Sequence, residues 1–153
     1  MAKKNEIEDF LSDLENDKTE STTRFPVRET IKVERDQLYK DYMVEGFTSG
    51  ITGNYTVEDD PTTYNTAVRV IAPDSGRRQT LWLSGYEQEH LTSAVAKALE
   101  GGHSYPLVAT FLRHQDTSKS GRTYNRFSIK ITDSAGKNGD LVVPPVPEDQ
   151  FQD

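Results

Sequence analysis

The four residues Ser84-Gly85-Tyr86-Glu87 constrain this chain more than any other stretch. A serine followed three residues later by glutamate makes a capping box, in which each side chain satisfies a backbone N–H that a first helical turn leaves free. Tyr86, Leu91, Ala94, Val95, Ala98 and Leu99 then line one helical face. Gly101-Gly102 ends the helix, because glycine adopts the left-handed terminating conformation without a side-chain clash. The segments on both sides carry strand patterning, so one helix has to be accommodated among strands.

Tyr64, Thr66, Val68 and Val70 alternate with Asn65, Ala67, Arg69 and Ile71, the two-residue period of a half-buried strand from Tyr64 to Ala72. Pro73-Asp74-Ser75-Gly76 is a turn, and Gln79 to Ser84 is the returning strand. Beyond the helix, Tyr105 to His114 and Thr123 to Thr132 form a longer hairpin, joined by Gln115 to Arg122. Its second strand sends Phe127, Ile129 and Ile131 one way and Tyr124, Arg126, Ser128 and Lys130 the other. Upstream, Val27 to Val33 suits a strand, and Glu34 to Tyr42 either extends it or makes a helical turn. Gly46, Gly50 and Gly53 among β-formers suggest bent or bulged strands. Strands, one helix and then a hairpin fit a mainly β, small Greek-key barrel better than a β-sandwich.

Charge divides the chain. The sequence has 153 residues and a net charge of −7, yet residues 25–132 hold 13 charges of each sign and are neutral. Residues 1–24 carry −3 and residues 133–153 carry −4. Three parts are expected: an acidic amphipathic helix and linker over 1–24, a β domain over 25–133, and a Pro-containing acidic tail over 134–153. The helix, over residues 3–17, would present Ile7, Phe10, Leu11 and Leu14 as its apolar stripe. Apolar residues make up 33% of the chain and mean hydropathy is −0.74, so flexible acidic ends are expected. No apolar run reaches membrane-spanning length, the N-terminus lacks a signal peptide's apolar stretch, and cysteine is absent. A cytoplasmic protein without membrane contact is the expectation, in the host cytoplasm if the source is viral.

Catalytic motifs do not emerge. There is no phosphate-binding glycine loop and no Gly-x-Ser-x-Gly elbow, and His90, His103 and His114 are scattered. No enzyme activity, cofactor or metal is expected. The chemistry present is basic residues interleaved with aromatics: Tyr105 to Thr132 carries five Lys or Arg, among them Arg113, against Asp116 alone. Single strands of nucleic acid are held by cations along their phosphates and by aromatic faces under their bases, each stack contributing roughly 1–3 kcal/mol. Trp82, the single tryptophan, lies between Leu81 and Leu83; if those leucines face the core, the indole faces outward. The alternative is a tryptophan that fills the core. On the outward reading one sheet face holds Arg69, Trp82, Tyr124, Arg126 and Lys130, and the hairpin loop adds Lys119 and Arg122.

The segment from Phe111 to Ile131, with its Lys119-Ser120-Gly121-Arg122 loop between two strands, resembles the last hairpin of OB-fold single-stranded DNA-binding proteins, including phage and archaeal-type ones. The tail is similar in layout to theirs, a Gly/Pro-containing linker before Glu148, Asp149, Phe151 and Asp153. The resemblance implies an OB-like barrel that binds single strands without catalysis during DNA replication, repair and recombination. It also implies that the acidic tail recruits replication or repair proteins through Phe151; Phe10, Leu11 and Leu14 are expected partner contacts from the apolar stripe of the N-terminal helix, not from the resemblance. Phe151 is not terminal here, and the acidic helix at 3–17 is not usual in that family. A second reading is an acidic adaptor that docks on replication or transcription machinery. The residues do not separate DNA from RNA, and edge strands of small barrels can pair into homodimers.

Overall fold

In a computed structural model, residues 5–13, 25–138 and 141–151 are described. Helix α1 spans 5–13. The strands are β1 (Glu29–Thr30), β2 (Leu38–Ile51), β3 (Asn65–Ile71), β4 (Arg78–Leu83), β5 (Leu107–Thr117) and β6 (Thr123–Ser134). Helix α2 (Gly85–Glu100) separates β4 from β5, and a single turn, α3 (Ala135–Asn138), follows β6. The fold is mainly β, one open six-stranded sheet in the order β1-β4-β3-β2-β5-β6.

Strand β2 organises the sheet. It pairs antiparallel with β3 along one part of its length and with β5 along the other. Register shifts at Tyr39/Tyr42, Val44/Gly46 and Thr48/Ile51 bend it, as extra residues in one strand of a ladder do. The helical-turn option for residues 34–42 gives way to this strand from Leu38 onward. The strand expected over Val27 to Val33 contracts to the two residues of β1, which pair parallel with β4.

The core lies between the concave face of the sheet and α2. Val44, Val68, Val70, Leu81, Leu83, Leu107, Phe111 and Phe127 are each no more than 1% exposed, and Leu91 and Val95 join them from the helix. Tyr39 stacks on Phe111 with centroids 5.2 Å apart. The capping box of α2 is present: Ser84 Oγ accepts from the Glu87 N–H, and Glu87 Oε1 accepts from the Ser84 N–H. Its buried side differs from the expected stripe. Leu91, Val95 and Ala98 are buried, but Tyr86 and Leu99 are exposed and Glu87 is buried instead.

A second, smaller cluster sits on the opposite face, where Met43, Ile71 and Val108 meet under Leu141. That contact corrects the expectation of a free C-terminal tail, because residues 141–151 lie along the domain. The Gln150 side chain is buried: its carbonyl accepts from the Arg78 N–H at 2.6 Å and its amide donates to the Arg78 carbonyl at 2.8 Å. Arg78 Nη1 donates to the Pro144 carbonyl, and Asp149 pairs with Arg77 at 3.0 Å. Phe151 forms an antiparallel bridge with Pro26. Gly76 makes room for this passage, since a Cβ there would stand 2.5 Å from the Pro145 carbonyl oxygen. Satisfying buried backbone groups at the sheet edge is the reason for the docking.

The N-terminal helix does not pack in this way. Ile7, Phe10 and Leu11 are 56–62% exposed. Leu14 and the linker to Arg24 lie outside the described residues. No described helix is long and apolar enough to cross a membrane.

Candidate nucleic-acid interface

Trp82 faces outward. Leu81 and Leu83 on either side are each 1% exposed, while the indole is 42% exposed. Its partner across the ladder is Ala67, which in turn pairs with Thr48, so small side chains surround the ring. Two residues along β3, on the same face, Arg69 pairs with Thr80 on one side and Gly46 on the other. Arg69 Nη1 donates to Thr48 Oγ1 at 3.2 Å and makes no ion pair among the described residues. Its positive charge also bears on Tyr105, whose hydroxyl is pushed up by burial while Arg69 opposes the shift.

The hairpin residues occupy the same outward side of the sheet but at its other end. In β6, Phe127 is buried, and Tyr124, Arg126 and Lys130 have the opposite parity. Strands β3, β2 and β5 lie between them and β4 in the hydrogen-bonded order. The sheet curls, however, and its two ends approach. Arg113 in β5 donates to the Trp82 carbonyl at 3.1 Å, and a cleft is lined by Ser84 after β4 together with Tyr124, Asn125 and Arg126 of β6.

Two of the expected cations are engaged inside the protein. Arg113 turns to the core side, where Nε donates to Glu87 Oε2 at 2.8 Å. That pair ties β5 to the first turn of α2, so Arg113 is a positioning residue for the strand end that carries Trp82. Arg126 Nη1 pairs with Asp116 Oδ2 at 3.0 Å, and Asp116 sits opposite Tyr124 in the ladder. The Asp116 carboxyl is held below its ordinary value, first by the Thr117 N–H and then by Arg126. Lys119, Arg122 and Lys130 are exposed and make no ion pair among the described residues. The loop is a tight turn, with the Ser118 N–H donating to the Arg122 carbonyl at 2.8 Å.

The expected partner-binding residues divide. Phe10 and Leu11 are exposed, whereas Phe151 is partly buried in its bridge to Pro26. In the turn before the short helical segment at Pro61–Thr63, the Asp60 carboxylate accepts from the Thr62 N–H and hydroxyl. Among the described residues no group of three or more His, Cys, Asp or Glu side chains is placed to hold a metal ion. Tyr86 and His90, which the sequence reading did not assign to the site, line the cleft beside Tyr124. Helical spacing was the available signal: four residues back from Leu91 is Glu87, which leaves Tyr86 off the buried stripe.

No family model matches the chain, and no curated protein or solved structure matches it either.

Proposed function

We propose that this chain is a non-catalytic, sequence-tolerant single-stranded DNA-binding protein. The observation that carries the proposal is Trp82, 42% exposed on an outward sheet face between two fully buried leucines, with Arg69 two positions along the neighbouring strand. A large aromatic exposed on a sheet face is a stacking platform for bases. Arg69, Lys119, Arg122 and Lys130 supply the cations for phosphates. A bent β2 paired to both β3 and β5, a helix between β4 and β5, and a closing hairpin are also the order of an OB-like barrel.

The exposed Ile7, Phe10 and Leu11 favour a second reading, an adaptor that docks its acidic N-terminal helix on another protein. Salt separates the two. Binding of a fluorescein-labelled oligo-dT through several phosphates weakens steeply as salt rises. An oligonucleotide that fails to bind at low salt overturns the strand-binding proposal.

A further inference from the structure

A cleft of about 400 Å³ opens where the start of α2 meets the start of β6. Ser84, Tyr86 and His90 form one wall, and Tyr124, Asn125 and Arg126 form the other. Tyr86 is 71% exposed and Tyr124 45%. Tyr86 and Tyr124 take no part in the ring pairs of the core, which join Tyr39, Tyr42, Phe111 and Phe127. Arg126 is held by Asp116 through Nη1, while its Nε is buried without a hydrogen-bond partner.

We infer that this cleft is a seat for one base of a bound strand, which rests against Tyr86 and Tyr124 beside the Arg126 guanidinium. The inference rests on the proposed strand binding and extends it from an open sheet face to a defined pocket. The ligand chemistry follows from the walls: flat aromatic surfaces select a planar ring, and a guanidinium among them favours one that carries acceptors. The volume falls at the small end of ligand pockets, a size suited to a nucleoside. Arg122, exposed and two residues before Tyr124, is a cation available to the phosphate beside that base.

The test compares two labelled probes by fluorescence anisotropy, an oligo-dT of about 30 nucleotides and an abasic phosphodiester tract of equal length, long enough for the usual span of such sites. Tyr86→Ala is expected to weaken oligo-dT binding on the order of tenfold, with Tyr86→Phe restoring it and neither variant changing affinity for the abasic tract. Tyr124→Ala is expected to behave as Tyr86→Ala does, and thermal melting of each variant checks that the fold persists. If Tyr86→Ala and Tyr124→Ala bind oligo-dT as the unaltered protein does while Trp82→Ala binds weakly, the base seat is wrong and strand binding stands. Equal losses for oligo-dT and the abasic tract also overturn the seat. Failure of the unaltered protein to bind either probe overturns both.

Discussion

The guanidinium of Arg69 lies over the α-carbon of Gly46 on the adjacent strand, where a Cβ would stand 2.6 Å from Nη2. Glycine at 46 therefore sets where a cation rests on the outward face. Gly46→Ala displaces Arg69, a flexible side-chain end, and is expected to reduce oligo-dT affinity by about as much as Arg69→Ala. The double variant should lose no more than either single one, the non-additivity expected of residues acting through one contact. A double-mutant cycle by anisotropy checks this, with independent losses as the contrary result.

Arg113 is expected to act on stability. It is the ion-pair partner of Glu87, which is 8% exposed at the base of α2. Removing one member of a buried pair leaves a charge uncompensated, and Arg113→Ala should destabilise the fold by about 3 kcal/mol. Urea unfolding measures it. A loss below about 0.5 kcal/mol, the scale of ordinary surface substitutions, would show that the pair is not structural.

Gln150→Ala removes the side chain that satisfies the Arg78 N–H and carbonyl from a position 72 residues away. Each buried group left without a partner costs about 1–3 kcal/mol. The variant should unfold at lower temperature and lose amide protection at Arg78, read by hydrogen exchange. Unchanged protection would mean that residues 141–151 do not hold this edge in solution.

The same clasp carries a pH dependence. Arg77 donates to Glu29 and holds its carboxyl below the ordinary carboxylate value. A group whose value is depressed in the folded state contributes stability above its ordinary value and loses it as pH falls through the lowered one. Melting temperatures of the unaltered protein and Glu29→Gln should therefore differ at neutral pH and converge in acid. Curves that stay parallel across that range would contradict the assignment.

Local signals wrote much of this fold into the sequence. The capping box at Ser84 and Glu87 marked α2, and the period of two at Leu81-Trp82-Leu83 set the indole opposite its neighbours but left open which side is the core, which the burial of both leucines decides. What the sequence concealed depends on distant partners. The Gln150 amide finds Arg78 only once the chain has folded, so the tail looked free. Arg113 belongs to the basic stripe by position, yet Phe111 and Phe127 orient β5 so that it points to Glu87. The Asp116–Arg126 pair was nearer to legible, because the two residues are diagonal neighbours on adjoining strands of one hairpin.

Trp82 allows the most direct test of strand binding, because it is the only tryptophan in the chain and its fluorescence reports on that face alone. The measurement is indole emission during titration with oligo-dT and with an abasic tract of equal length. Stacking predicts quenching by oligo-dT that saturates with binding and disappears as salt rises, and little change with the abasic tract. Binding seen by anisotropy with Trp82 emission unmoved would contradict the account, because the bases would then lie away from this face.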